Sequence, residues 1–390
     1  MDTVINKYSR AKEIWINIGL LTFPIVLPLP TPLNIKSISF IVFLITLFFN
    51  TPFKIIDYKN LFTNKVVTLF FVLYLLDPIL SLIRGNGFYL QDLRLPFLIV
   101  PIIFLLCKDL LIKYKSKILF AFTAGTFGYI VFTLLFVIYF YTNSIEVFAF
   151  DYFLKYVTYH YLPFAIHHTY MGIYLCFATS IVLFFLELKT NVKIFLCFIL
   201  FFSILIIASK LTIVFFIMTL FTYLMLNLKW SFLRRITLIV TLAFTFFIVI
   251  IILYFKTDLF RTLNISINER WDLINCSLEG IYSNFFIGIG DGNVKSFIVS
   301  CNSSLGLKDT HNVFLQELLS NGILGFFVLS TILWSLTKLF FKVKSTLGVM
   351  LMFMVFFFGF VEHLFDLQHG VLFFIFFMLL IYCTCELNLK

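Results

Sequence analysis

Long apolar blocks separated by short polar segments dominate the chain. Apolar runs of a length that crosses or nearly crosses a bilayer recur about twelve times. They lie near 13–29, 37–52, 66–83, 95–107, 118–142, 162–186, 192–208, 211–228, 236–255, 312–341, 346–361 and 370–386. The pattern predicts an all-α polytopic membrane protein with about twelve transmembrane helices, forming a single membrane domain over residues 1–390.

Composition and charge agree with a membrane location. Of the 390 residues, 62% are hydrophobic and 12% charged, whereas soluble domains carry about 25% charged residues. With the N-terminus placed inside, nineteen of the 29 Lys and Arg residues fall on the inner side. Short loops rich in Lys and Arg stay cytoplasmic. We therefore expect both termini in the cytoplasm, loops 143–161 and 256–311 outside, and no nucleic-acid partner despite the net charge of +10.

The seven cysteines divide into two groups. Five lie in or beside apolar runs, where free thiols act as packing groups. Cys276 and Cys301 share the outward loop 256–311, where an oxidising compartment permits a disulfide. The sequence leaves two alternatives open for this pair, a disulfide or two unpaired thiols.

The first part of the outward loop predicts a surface helix. Ser266–Glu269 matches a capping box, and the helix that follows has an apolar face to lie on the membrane or against the bundle. That face carries Trp271, Ile274, Leu278 and Ile281. Arg270, in the first predicted turn, offers five donors suited to phosphate oxygens. The alternative for Arg270 is a surface ion pair with Asp272 or Glu269.

The stretch FIGIGDGN, residues 286–293, predicts a tight glycine turn. No βαβ pattern surrounds it, which excludes a dinucleotide-binding loop. Two interpretations stay open. The turn brings backbone N–H groups around Gly290 and Gly292 towards an anion, or it folds the loop back over the bundle.

The stretch KDTHNVFLQELLSNGILGFF, residues 308–327, places polar residues at the start of an apolar helix. Asp309 or Thr310 is predicted to cap a helix that begins near Asn312, and Asn321-Gly322 predicts a bend. His311 lies where the outer aqueous phase meets the bundle, and imidazole exchanges protons near neutral pH. Its two interpretations are a catalytic base and a structural residue at a helix start.

Further polar residues fall near the same predicted outer surface, where ionisable groups indicate function. They are Arg84, Arg94, Lys210, His167, His168, Tyr170, Glu362, His363, Asp366 and His369. A convergence of four cations, Arg84, Arg94, Lys210 and Arg270, on His311 would suit an anionic lipid-linked ligand. No HExxH or paired-carboxylate motif is present, so we expect no metal and no cofactor.

Two quoted stretches together resemble a known family. NERWDLINCSLEGIYSNFFIGIGDGN followed by THNVFLQELLSNGILGFF is similar to the signature of the O-antigen ligase and polymerase superfamily of bacterial membrane proteins. HHTYMGIYLCFA and EHLFDLQHGVLFF resemble two further stretches of that family. The resemblance covers roughly residues 160–380. It departs from the family pattern at Phe285 and His168, where proline is common, and at Lys210, where arginine is common.

The resemblance implies a fold and a reaction. The fold is of the lipid-dependent glycosyltransferase type with one large periplasmic loop, in the bacterial inner membrane. The donor is a glycan on undecaprenyl pyrophosphate, transferred without a metal. By position, His311 takes the catalytic role and Arg270 holds the pyrophosphate, while Lys210 and Arg94 match other basic positions. Asn312, Gly290, Gly292, His167, Tyr170 and Glu362 are possible supporting residues.

Three functions follow as alternatives. A ligase moves finished glycan onto lipid A core or a similar acceptor in lipopolysaccharide biosynthesis. A polymerase joins repeat units that remain on the lipid carrier. A flippase or transporter for lipid-linked sugar is the alternative of another class, although the halves show no pseudo-repeat and the polar residues gather on one side.

Overall fold

A computed structural model describes residues 2–51, 63–87, 92–143, 161–207, 209–227, 259–365 and 367–386. The predicted run at 236–255 and Asp366 lie outside these residues. The described part contains α-helices and two 3₁₀ turns, with no strand. The helices are α1 (Asp2–Val26), α2 (Leu33–Phe49), α3 (Lys65–Ile83), α4 (Pro96–Leu106), α5 (Lys108–Asn143), α6 (His168–Phe184), α7 (Thr190–Ile207), α8 (Lys210–Asn227), α9 (Leu259–Ser283), α10 (Asp291–Cys301), α11 (Val313–Lys342), α12 (Thr346–Gly359) and α13 (Gln368–Glu386). The 3₁₀ turns are Asp92–Arg94 and Ser303–Leu305.

The described helices follow the predicted apolar runs closely. Six are long and apolar enough to cross a membrane: α3, α5, α7, α8, α11 and α13. Three shorter apolar helices are α2, α6 and α12. The short run at 95–107 forms α4, with Pro96 at its first position, where a missing N–H costs nothing. Runs 192–208 and 211–228 form two separate helices. The protein is therefore an all-helical membrane protein over its described residues.

The chain divides into two compact units. The bundle unit comprises Met1–Phe216, Phe327–Gly359 and Leu364–Lys390. The loop unit comprises Ile217–Phe326 and Phe360–His363.

Aromatic packing and glycine contacts hold the bundle unit together. Most of α13 is buried, and its Phe377 ring lies 4.8 Å from both Phe122 and Phe177. A Cβ atom on Gly125 would lie 2.3 Å from the Ile25 carbonyl oxygen. Without hydrophobic drive between helices in lipid, such small residues permit the close backbone approach that packs α5 on α1.

A compact core and a disulfide hold the loop unit together. Leu273, Val294, Ile298 and Leu319 bury their side chains between α9, α10 and the start of α11. Cys276 is bonded to Cys301, with Cα atoms 5.8 Å apart. Of the two alternatives for this pair, the structure shows the disulfide.

Helix α9 differs from its sequence prediction in two respects. The predicted capping box at Ser266–Glu269 is wrong, because α9 already begins at Leu259. The predicted apolar face is also split: Trp271 and Leu278 are exposed, whereas Ile281 is buried in the core. The buried side instead follows Leu273 and Cys276, because the disulfide and α11 cover that side of the helix.

Candidate active site

Three successive residues of the turn 360–363 make contacts with other parts of the loop unit. Two of them contact the segment just before α11, and one contacts helix α9. The Asn312 side-chain amide donates to the Phe360 carbonyl at 3.2 Å. The Arg270 guanidinium donates to the Val361 carbonyl. His311 Nδ1 lies 3.1 Å from Glu362 Oε1. The turn therefore fixes three sequence-predicted residues, and Glu362 itself is the fourth.

The backbone around His311 is constrained. Its φ of +47° is left-handed, a conformation that costs a non-glycine residue on the order of 1–3 kcal/mol. The His311 N–H donates to Asp309 Oδ1 at 2.8 Å, and Thr310 Oγ1 donates to the Asn312 carbonyl at 2.8 Å. These short-range bonds hold a strained residue in one orientation.

The helix cap lies one residue beyond the histidine. The Asn312 side-chain oxygen accepts from the N–H groups of Phe314 and Leu315 at 2.9 and 3.0 Å. The prediction that Asp309 or Thr310 caps α11 is therefore wrong, because Asn312 takes the N-cap and leaves the Asp309 carboxylate for His311. Asn312 supports the site by fixing the helix start directly after the histidine.

Two carboxylates face the same nitrogen of the His311 ring. Glu362 lies 3.1 Å and Asp309 3.6 Å from Nδ1, and the imidazole is 32% exposed. The hydrogen bond to Glu362 raises the pKa of His311 above its ordinary 6.5; burial opposes the shift, and the two carboxylate charges add to it. With Nδ1–H directed at Glu362, the neutral ring carries its lone pair on Nε2. The arrangement can hold a base with one defined reactive nitrogen.

Arg270 lies close enough to affect this base. Its charge lowers the pKa of His311, which partly offsets the carboxylates. The predicted alternative of an ion pair with Asp272 or Glu269 is wrong, because neither carboxylate pairs with Arg270 in the described part of the chain, and Glu269 pairs with Lys308. The guanidinium instead contacts the Val361 carbonyl, a neutral acceptor. Arg270 therefore brings a positive charge into the surroundings of His311.

The glycine turn at 286–293 lies against the start of α11. The N–H groups of Ile289 and Gly290 donate to the Leu319 and Ser320 carbonyls, each at 2.9 Å. Gly292 lies in α10, where an added Cβ would meet nothing within 4 Å. Because those amides are occupied, this geometry favours the interpretation that the turn folds the loop back.

The predicted bend at Gly322 is confirmed. Gly322 has non-helical dihedrals within α11, with φ of +64°. A Cβ there would lie 2.3 Å from the Phe286 carbonyl oxygen, and the Ile323 N–H freed by the bend donates to the Phe285 carbonyl at 2.8 Å. The glycine turn therefore packs directly against the bend at Gly322.

The other sequence-predicted residues lie in the bundle unit. Arg84 pairs with Asp77 at 3.4 Å, and both side chains are less than a tenth exposed. Arg94 is buried in its 3₁₀ turn, and Lys210 is the exposed first residue of α8. His167 precedes α6, and Tyr170 is buried in that helix's first turn. The convergence of Arg84, Arg94 and Lys210 on His311 stays a prediction, as do the supporting roles of His167 and Tyr170.

Sequence reasoning gave two side chains less weight than the structure does. Asp309 entered only as a helix cap, although its carboxylate faces His311. Lys36 did not enter at all, yet it is fully buried. Asp309 had a signal, since it lies two residues from the histidine; Lys36 had none, because it falls just before the apolar run 37–52. Among the residues described, no group of three or more His, Cys, Asp or Glu is arranged to hold a metal ion.

Comparison with known families bears on the same segment. Residues 195–330 match the family model described as O-antigen ligase. Over this segment the chain is similar to the O-antigen ligase family. The match confirms the resemblance read from residues 268–327 and includes both Arg270 and His311. Glu362 and the turn 360–363 lie beyond the matched O-antigen ligase segment. No curated protein matched the chain.

Proposed function

We propose that this protein is a glycosyltransferase of the O-antigen ligase type. It transfers a glycan from undecaprenyl pyrophosphate to a periplasmic acceptor such as lipid A core, without a metal. The observation that carries the proposal is the His311 ring, which Glu362 orients through Nδ1 beside the Arg270 charge. The O-antigen ligase match over the same residues supports the choice of reaction.

The reaction is a single displacement. His311 Nε2 takes the proton of an acceptor hydroxyl while that oxygen forms a bond to the donor's anomeric carbon. The bond from this carbon to the pyrophosphate oxygen breaks, and its electron pair leaves with undecaprenyl pyrophosphate. Direct displacement inverts the anomeric centre. A positioned base supplies about 10²–10⁴ in rate.

Charge on the leaving group needs compensation. Arg270 is the cation best suited to bind the pyrophosphate, because its five donors match phosphate oxygens. In this proposal Lys210, Arg94 and Arg84 add positive charge, with Arg84 weakest because Asp77 already neutralises it. Preorganised charges of this kind act where negative charge develops.

The proposed membrane arrangement follows the charge asymmetry. About twelve transmembrane helices form one membrane domain in the bacterial inner membrane. Both termini are cytoplasmic, and the periplasmic loop 256–311 carries His311 to the side where lipid-linked glycans are used. The disulfide between Cys276 and Cys301 supports this side, since disulfides persist in the periplasm.

A reconstituted assay tests the proposal. The full-length protein is purified and supplied with a synthetic undecaprenyl-pyrophosphate glycan and lipid A core, with and without chelator. We expect transfer that chelator leaves unchanged and that His311→Ala lowers by about 10²–10⁴. Lys295→Ala, which removes an exposed cation of α10 in the same unit, is the matched control and should keep wild-type rates.

The acceptor separates ligase from polymerase. Product on lipid A core supports the ligase, whereas extension of the carrier-linked glycan in the absence of core indicates the polymerase. Full transfer by His311→Ala would contradict the role given to the histidine.

A further inference from the structure

Lys36, a lysine with no acidic partner among the described residues, is buried in the bundle unit. Lys36 in α2 is 0% exposed, and its Nζ donates to the Leu27 carbonyl at 3.0 Å. The same nitrogen lies 3.4 Å from His369 Nδ1. Within the described part of the chain, no carboxylate contacts Lys36. An ammonium buried without a counter-charge is costly, and such groups in membrane proteins indicate functional sites.

The starts of three helices meet around this lysine. Gln368 Nε2 at the start of α13 donates to Ser37 Oγ in α2 at 2.7 Å. From α6, the Tyr174 hydroxyl donates to the His369 carbonyl at 2.8 Å. The Tyr170 ring also packs at the start of α13, where a Cβ on Gly370 would lie 2.4 Å from it. Helices α2, α6 and α13 therefore bring their N-terminal ends together.

Histidines form the outer edge of the cluster. The rings of His167 and His168 are 4.3 Å apart and only partly buried. His167 is close enough to His369 for the two rings to interact electrostatically. Neither Pro32 nor His167, the residues preceding α2 and α6, caps its helix through a side chain. Uncapped helix starts carry partial positive charge and point N–H groups outward.

We propose that this cluster is a second anion site, which binds a phosphate- or diphosphate-bearing group. The partly exposed His167, His168 and His369 rings and the first amides of α2, α6 and α13 contact the anion. Lys36 is completely buried and does not touch the anion. Its charge attracts the anion through the protein interior, which screens charge poorly. Phosphate suits helix N-termini in general. The proposal does not rest on the proposed function, because neither Lys36 nor the three histidines takes part in the proposed transfer step.

Titration with inorganic pyrophosphate tests the site. The full-length protein carries Arg270→Ala and His311→Ala throughout, which weakens pyrophosphate binding at the candidate active site. Calorimetry should detect one site in this background. Lys36→Met should weaken that affinity by about tenfold or more. Lys117→Met, which removes a cation of α5 bonded to Asn17 on the exposed surface, should leave it unchanged.

Lys36→Met can also disturb folding, so a second variant is needed. His167→Gln keeps a polar group at the outer edge and should weaken pyrophosphate binding with the unfolding temperature unchanged. Absence of pyrophosphate binding in the double-substituted background overturns the proposal. An equal loss in Lys117→Met, or unchanged affinity in both Lys36→Met and His167→Gln, also overturns it.

A separate measurement identifies the source of the phosphate group. Nanodiscs of phosphatidylcholine with or without phosphatidylglycerol are compared in the pyrophosphate titration. Competition by phosphatidylglycerol that Lys36→Met abolishes identifies a lipid headgroup as an occupant. Unchanged titration in both lipids identifies a soluble or carrier-linked phosphate as the occupant. The transfer assay above is independent of this result, so failure of one proposal leaves the other standing.

Discussion

His311 in the loop unit and His369 in the bundle unit are placed in opposite surroundings. His311 Nδ1 faces two carboxylates, Glu362 and Asp309, at 3.1 and 3.6 Å. His369 Nδ1 faces the ammonium of Lys36 at 3.4 Å. The carboxylates favour a protonated Nδ1 and an electron-rich Nε2, which suits proton abstraction. The lysine is a cation when protonated, and a cation beside the ring suits an anion. The same side chain thus serves two chemistries, and the partner on Nδ1 decides which.

The largest expected effect is at the glycine bend of the loop unit. Gly322→Ala should destabilise the loop unit by about 4 kcal/mol or more, because the backbone strain at φ +64° and the clash with the Phe286 carbonyl at 2.3 Å both oppose a Cβ. Gly306→Ala is the control, since its backbone angles (φ +67°, ψ −170°) nearly match those of Gly322 but nothing lies within 4 Å; it should cost about 1–3 kcal/mol. Chemical denaturation measures both. Equal losses would show that packing at the bend contributes nothing.

The disulfide gives the next effect, and it should be confined to the loop unit. Cys276→Ser with Cys301→Ser opens a link between residues 25 apart in sequence. Chain entropy predicts a loss of about 3.5 kcal/mol. Hydrogen exchange should report faster opening of α9 and α10, with α13 in the bundle unit unchanged. Uniform acceleration in both units would contradict the division between them.

Glu362→Gln tests the carboxylate half of the comparison. Glu362 raises the pKa of His311, so the variant should have a lower pKa and a base form present at lower pH. The rise of kcat/KM with pH should move to lower pH, while kcat falls about 10–100-fold through lost orientation. The protonated His311–Glu362 pair also stabilises the fold below about pH 6.5, and this contribution is lost as pH rises through the raised pKa. An unmoved pH profile would show that Glu362 only packs.

The smallest effect is expected at the ion pair between Lys308 and Glu269. Both side chains are more than a third exposed, and exposed pairs contribute about 0–1 kcal/mol. Lys308→Ala should therefore change unfolding free energy by less than about 1 kcal/mol and leave the pH profile in place. A shift in that profile would mean that this pair belongs to the electrostatics of His311.

The sequence predicted helices and local turns well, and long-range pairing poorly. Apolar runs set helix positions because each run must bury its own backbone polar groups in lipid. The bend at Gly322 was visible because Asn-Gly carries its own local signal. The cap at Asn312 was missed by two or three residues, since several neighbouring polar residues can cap a helix equally well. The start of α9 was missed because the capping motif inside it is compatible with a continuing helix.

Partners distant in the chain leave no periodic signal. Glu362 was predicted as a possible supporting residue, but nothing in its spacing assigns it to Nδ1 of a histidine 51 residues earlier. Lys36 and His369 are 333 residues apart and come together only when α2 and α13 pack. Those pairings depend on tertiary packing, which one sequence does not encode in its pattern.

The turn 360–363 has a consequence for biogenesis. Because Glu362 follows His311 by 51 residues, the ribosome needs a few seconds between them at about 5–20 residues per second. Helices α11 and α12 must be made before the imidazole gains its orienting carboxylate. A nascent chain that already exposes its histidine therefore lacks an oriented base, and truncated products that end within α12 should be inert.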